Sequence, residues 1–393
     1  MDVSHGSSTF PKFLSLMRRL SLRKAIYKPP CDPDASLANA IGNVPGGERQ
    51  FMQGSIRSPQ LGQEYPQPNE DAMFREMGEI IEKLMIRTRS PVRRQQHAKH
   101  HGCVRATFEI EQNLPDELRI GLFKEGASYP AWVRFSNASQ HIDTIGNPHG
   151  FAIKLMGVKG AKALGEGHDH ETQDFLMVDY PIFIVRTASD YLDLFRAALN
   201  APGKMPWSFF FPSLDPSKWR LLELGLIKKM RSLKIDNLLN AQFWTLGAFK
   251  FGSGAAKFSV RPLAKIRTPD GAALSPDYLG ERLAECLRRQ DVQFEFLMQL
   301  QTDANKMPIE DTTIEWTSPF RRVATITIPA QDFRNPEQIA LAEHLSFTPW
   351  HALAEHRPLG GINRIRRSAY GASSAVRHQL NGVAEKEPIS GTV

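Results

Sequence analysis

The stretch LSFTPWHALAEHRPLGGINRIRRSAYGASSAVRHQL (345–380) closes on a helical run in which Arg366, Tyr370 and Arg377 stand four and seven residues apart. Those spacings put all three on one helical face. A guanidinium beside a phenol favours the anionic form of the phenol. A phenolate is a hard anionic ligand suited to ferric iron. A solvated basic helix with one surface tyrosine has the same spacing, and on spacing alone that plainer reading is the stronger.

Working back from this helix, runs of period-two or continuous apolar character predict strands at CVRATFEI (103–110), AWVRFS (131–136), HGFAIKLMG (149–157), PIFIVR (181–186), AAKFSVRP (255–262), QFEFLMQLQ (293–301) and VATITIPA (323–330). Met73, Met77, Ile80, Ile81 and Leu84 form one apolar stripe and predict a helix from Asp71 to about Arg87, with Pro91 beyond it. Residues 189–235 read as mostly helical, broken near 202–216 by Pro and Phe, and 276–289 reads as a helix between strands. Residues 337–377 read as helix, loop, helix. No solenoid-length repeat is present. Antiparallel strands with segregated helices place the chain in the α+β class.

Composition sets few limits. The 393 residues are 41% hydrophobic and 23% charged, an ordinary globular balance. The net charge of +7 is spread among scattered arginines without a nucleic-acid motif, so nucleic acid is not an expected partner. No apolar run is long enough for a bilayer-spanning helix, and no secretory leader is read at the N-terminus. Cys31, Cys103 and Cys286 are too few and too far apart for a disulfide framework, which suits a reducing cytoplasm. The segment FPKFLSLMRRLSLRKAIYK (10–28) mixes Leu, Phe and Met with Arg and Lys. It reads either as an amphipathic helix touching a membrane or as an arm packed on its own domain or a partner subunit, the second being the simpler.

Histidines cluster in RRQQHAKHHGCVRATFEI (93–110). His97, just before a strand, suits a general acid/base, a metal ligand or a satisfied core histidine. His168, Asp169, His170 and Glu171 are flanked by Gly165 and Gly167 and read as a polar loop without metal.

Taken together, five segments in order resemble the catalase superfamily: RRQQHAKHHG, AWVRFSNAS, HGFAIKL, PIFIVR and LSFTPWHALAEHRPLGGINRIRRSAY. The similarity runs from about residue 90 to 380. MPIEDTTIEW (307–316) and FTPWHALAEHRPLGGINR (347–364) look most like the short catalase-related haem proteins, a group that includes allene oxide synthase-like enzymes of fatty-acid hydroperoxides. The resemblance implies a closed antiparallel β-barrel with surrounding helices, without the C-terminal helical domain of full catalases. It implies haem b. Tyr370 would be its proximal iron ligand and Arg366 the holder of the phenolate. His97 would be the distal acid/base and Ser136 its support. Arg94, Arg134 and Arg377 would pair with the propionates, and Tyr191 would place an aromatic ring over the haem.

Two positions depart from catalases. Val178 or Asp179, in QDFLMVDYPIF (173–183), stands where catalases carry the distal asparagine, and Asp179 is taken as a candidate catalytic group. Gln96 stands where valine is usual. Both changes point away from rapid hydrogen peroxide dismutation and towards organic, fatty-acid hydroperoxides. The alternatives are a weak catalase or general peroxidase, and a non-catalytic haem-binding protein. The expected organisation is an N-terminal arm over 1–70, a haem domain over 71–380 and a flexible tail over 381–393. Expected partners are a hydroperoxide, a membrane surface met through the N-terminal arm, and further copies of the chain.

Overall fold

The structure is a computed structural model and describes residues 59–87, 91–166, 170–267 and 274–388. The basic, apolar segment at 10–28, together with His168 and Asp169, lies outside these residues.

Nine strands form one antiparallel sheet: β1 (His100–Ile110), β2 (Ser128–Asn137), β3 (His149–Met156), β4 (Thr172–Val178), β5 (Phe243–Thr245), β6 (Phe249–Phe251), β7 (Gly254–Pro262), β8 (Val292–Leu300) and β9 (Phe320–Ile328). Their order is β5-β4-β3-β2-β1-β9-β8-β7-β6, and β5 also pairs with β7. That pairing closes eight strands into a barrel and leaves β6 as a hairpin extension of β7. Closure removes the edges that an open sheet would expose.

Strand alternation explains the filling. Val104, Ala106, Phe108 and Ile110 of β1 face inward with Val133 and Phe135 of β2 and Phe151, Ile153 and Leu155 of β3. Phe175, Phe258, Phe294 and Phe296 complete the same core. Phe175 meets Phe258 edge-on at 5.0 Å and Phe296 at 4.9 Å. Each buried Phe side chain contributes roughly 1.5–3 kcal/mol, so the aromatic interior is the main source of barrel stability.

Among the described residues there are seven α-helices: α1 (Glu70–Ile86), α2 (Ala188–Leu199), α3 (Trp207–Phe210), α4 (Leu221–Ser232), α5 (Tyr278–Leu287), α6 (Pro336–His344) and α7 (Gly361–Asn381). Glu70 and Asp71 open α1 and Lys83 lies in its last turn, which suits the helix dipole. The Thr187 side chain caps α2 by accepting from the Asp190 amide, and Asn335 caps α6 by accepting from the Gln338 amide. The predicted stripe Met77, Ile80 and Ile81 packs α1 into a second apolar cluster with Ile362, Ile365 and Ala369 of α7 and Tyr191 and Phe195 of α2. The fold is therefore an α+β barrel with helices packed outside it.

Three expectations change. PIFIVR (181–186) is irregular chain after β4, because Pro181 removes a ladder donor and the apolar run is bounded by turns. β4, which lies ahead of the run predicted at 181–186, and the three-residue strands β5 and β6 have no counterpart among the predicted strands. Residues 383–388, expected within a flexible tail, place Glu387 against the fully buried Lys154 ammonium, with the Thr172 hydroxyl donating to Glu387 at 3.2 Å. Asp174 already pairs with that ammonium at 2.9 Å, and Glu387 adds a second carboxylate.

Candidate active site

His97 precedes β1 with a left-handed backbone, φ 56°. Asn69 is the only other non-glycine with positive φ among the described residues. Such strain persists where surrounding bonds enforce it, and it concentrates at functional positions. The bonds are present: the His97 amide donates to Ala138 O at 2.9 Å, and the Asn137 amide donates to Lys99 O at 2.9 Å. Arg134 Nη2 donates to the His97 carbonyl at 2.8 Å. The ring itself is fixed by a 2.9 Å bond between Nδ1 and Ser136 Oγ. It lies on Gly150, where an added Cβ would stand 2.5 Å from Nδ1. Glycine is required there by close approach. Burial, then the positive charges of Arg134, Arg366 and Arg94, pushes the His97 pKa down to about 3. The imidazole is neutral at physiological pH, and the guanidinium charges around it disfavour its protonation unless anions offset them.

Facing this histidine is α7. Arg366 Nη2 donates to the Tyr370 hydroxyl at 3.1 Å, and Arg366 Nη1 donates to Asn363 Oδ1 at 3.0 Å. The pair read from the four-residue spacing is thus formed. Tyr191 of α2 is buried beside it. Its hydroxyl donates to Gln96 Oε1 at 3.4 Å, and burial, then the nearby Tyr370, raises its pKa.

Arg94, Arg134 and Arg377 converge from the chain before β1, from β2 and from α7. Arg94 Nη2 donates to Ala342 O at 3.0 Å and also to Leu345 O. Arg377 Nη2 donates to Ser346 Oγ at 2.9 Å. Burial and mutual repulsion lower the pKa of Arg94 well below the usual range, and that of Arg377 to about 10. One carboxylate stands close: Glu343 lies 3.6 Å from Arg94 Nη1 and 3.2 Å from His100 Nε2. Burial opposes ionisation of Glu343, but the His100 bond and the arginine charges hold its pKa at about 2. Even so, Arg94 Nη1, Arg134 Nε and Arg377 Nε are buried without a hydrogen-bond acceptor. Buried donors are almost always satisfied. Three unmet guanidinium donors at one place fit a dianionic group such as the two propionates of haem, and Tyr370 fits as its iron ligand.

The departures from the catalase pattern are also placed. Val178 is opposite Gly150 in the β3–β4 register and offers an apolar wall near His97. Asp179 turns to His149: its carboxylate accepts from the His149 amide at 2.8 Å and contacts His149 Nδ1 at 2.7 Å. With both oxygens engaged, Asp179 acts on His149 and is not a free acid/base in the pocket. Sequence reading missed Glu343, Gly150 and the His149–Asp179 pair. Glu343 carries no local signal, and the pair joins residues on different strands. No set of three or more His, Cys, Asp or Glu side chains able to hold a metal ion is found among the described residues.

Residues 58–212 match the family model described as Catalase. Solved structures of similar fold include catalase A from Saccharomyces cerevisiae, with TM-score 0.57 and 17% identity over 83% of this chain and 70% of that one. A fungal catalase has TM-score 0.57 and 18% identity over 84% of this chain and 67% of that one. A bacterial catalase has TM-score 0.55 and 15% identity over 87% of this chain and 71% of that one. No curated protein sequence gives a match. The family match spans less than half of the chain, and the similar structures share its barrel fold.

Proposed function

We propose that this protein is a haem enzyme of the catalase superfamily that cleaves organic hydroperoxides, with fatty-acid hydroperoxides as the substrate class. The observation that carries the reading is the convergence of three buried, donor-unsatisfied arginines with the Arg366–Tyr370 pair and the neutral His97. When bound, haem b supplies a redox-active iron at which an O–O bond can be broken. Tyr370 would hold the iron through its phenol oxygen, which Arg366 keeps in place. Arg94, Arg134 and Arg377 would hold the propionates through their N–H donors. With Nδ1–H donating to Ser136, His97 Nε2 takes the hydroperoxide proton and returns it to the leaving oxygen.

The substrate class follows from what surrounds His97. Val178 has no donor, Asp179 is committed to His149, and Gln96 Oε1 is engaged by Tyr191. Hydrogen peroxide depends on close polar contacts because it has few atoms to bind. A large hydroperoxide gains orientation from its apolar tail instead. Three widely spaced cysteines suit a cytoplasmic enzyme.

Initial rates of oxygen release from hydrogen peroxide and of fatty-acid hydroperoxide loss, on one haem-loaded preparation, decide the substrate. The expected result is higher efficiency with the lipid; vigorous oxygen release with little lipid turnover points to the catalase reading. Tyr370→Phe is expected to abolish or greatly weaken haem retention, since phenyl cannot coordinate iron. An unchanged visible spectrum in that variant refutes the haem reading. Replacing His97 with Ala should leave haem bound and lower turnover about a hundredfold.

A further inference from the structure

Segment 207–222, which links α3 to the start of α4, carries a concentration of exposed apolar groups. Trp207 is 51% exposed, Leu214 97%, Leu221 58% and Leu222 46%. Helix α4 buries Leu224 and Met230 but starts with an exposed apolar pair. Its Glu223 is buried, while the two leucines preceding it face solvent. Scattered apolar residues on a surface need no explanation, but a contiguous apolar patch marks an interaction site.

The segment is built as a platform. Phe209 and Phe210 anchor its underside in the helical core. Trp207 stacks on Phe211 at 6.2 Å, and Phe211 meets Trp219 edge-on at 5.2 Å. Trp219 Nε1 donates to Ser213 O at 3.0 Å. Arg220 lies 4.4 Å from the Phe209 ring and pairs with Asp193 at 2.7 Å. The apolar tips are therefore presented from a fixed base.

Charge identifies the partner. Residues 204–234 contain seven Lys and Arg against two Asp and Glu, a net of +5 in a chain whose total is +7. Lys204, Lys218, Lys228, Lys229 and Lys234 are exposed. Exposed leucine and tryptophan within one lysine-rich segment suit the interface of an anionic bilayer, where apolar tips enter the acyl boundary and ammonium groups meet phosphate. A second copy of the chain fits poorly, because a two-fold contact through this patch sets like charges face to face.

We infer that the 207–222 platform with its surrounding lysines docks the protein on anionic lipid membranes. This inference does not depend on the haem reading, since no residue of the proposed haem site takes part.

The full-length chain, with and without haem, is sedimented with phosphatidylcholine vesicles containing either no anionic lipid or about 30 mol% phosphatidylglycerol. Wild type is expected to partition onto the anionic vesicles, weakly onto neutral ones, and less at high salt. A triple variant, Trp207→Ser, Leu214→Ser and Leu221→Ser, changes exposed side chains only, and a wild-type thermal melt verifies its fold. It should bind at least about tenfold more weakly. Lys218→Glu with Lys228→Glu should weaken anionic binding by itself. Brominated lipid should quench tryptophan emission in wild type more than in Trp207→Ser. Wild type that does not bind anionic vesicles overturns the inference, as does a triple variant that binds like wild type. A triple variant that dissociates an oligomer without losing vesicle binding overturns it in favour of self-association.

Discussion

Helix α7 carries two arginine sites that solve opposite problems. Arg364 is one guanidinium among three carboxylates. Its Nε and Nη2 meet Glu70 at 2.7 Å each, its Nη1 and Nη2 meet Glu310 at 3.1 Å each, and its Nη1 also meets Glu64. Arg377, thirteen positions on, belongs to a group of three guanidiniums, with Glu343 beside Arg94 and Glu385 acting on Arg377. Carboxylates surround the first cation and raise its pKa; burial and like charge lower those of the second group. The saturated site joins the segment before α1 to the head of α7. The unsaturated site has donors left over and is built to receive an anion. A buried cluster of one sign is thus a better pointer to a ligand than a buried ion pair, which has already met its partner.

That contrast makes its largest prediction for stability. Arg364→Met leaves Glu70 and Glu310 without a cation, while Glu64 keeps Arg357, and urea unfolding of the haem-free protein should show a loss of about 3–5 kcal/mol. A loss well below 1 kcal/mol would erase the distinction between the two sites.

A smaller effect of a different kind is expected at Arg377. Arg377→Met relieves repulsion in the haem-free protein, so its unfolding midpoint should stay near that of wild type or rise. Haem affinity, measured by transfer to an acceptor protein, should fall about ten- to a hundredfold, the scale set by removing one charge-assisted hydrogen bond to a propionate. A variant that is destabilised without haem and binds haem normally would make Arg377 structural, like Arg364.

The smallest effect concerns Glu343, the resident anion of the unsaturated site. Its folded pKa of about 2 lies below the ordinary 4.5. A depressed carboxylate pKa contributes stability that is complete above the unfolded value and is lost as pH falls through the folded one. The stability gap between wild type and Glu343→Gln should therefore be full above pH 4.5 and vanish towards pH 2. Haem affinity of the variant should rise a few-fold, because the propionates no longer share the arginines with Glu343. A gap that is constant across this range would place the Glu343 charge elsewhere in the balance.

The barrel is legible in the sequence where strands are long and apolar. β1, β2, β3, β7, β8 and β9 each carry a run of inward residues that period-two reading finds. β5 and β6 are not legible, since three residues cannot show a period. PIFIVR misleads because an apolar run after Pro181 looks like a buried strand, while its structure is set by neighbours distant in sequence. Within the site, Arg366 and Tyr370 are legible from one helix, because four residues make one turn. His97 with Ser136, and the three arginines, are legible only through their resemblance to a family. The pairing of Asp179 with His149 is not legible in the sequence, because His149 lies on another strand.

The barrel closes through very short ladders. β5 contributes two residue pairs to β4, Met177–Thr245 and Val178–Trp244, and two to β7, Phe243–Val260 and Trp244–Ser259. Cooperative units with few bonds open at lower free energy than the rest of a structure. Amides of 243–245 should accordingly exchange with deuterium before those at the centres of β1 and β8. Val178 sits on this seam and faces Gly150, the glycine beneath the His97 ring. Each seam opening therefore loosens one wall of the proposed haem site while the remaining long ladders stay intact. Exchange at 177–178 and at 243–245 should slow together when haem is added, making the barrel's weakest joint a reporter of cofactor occupancy.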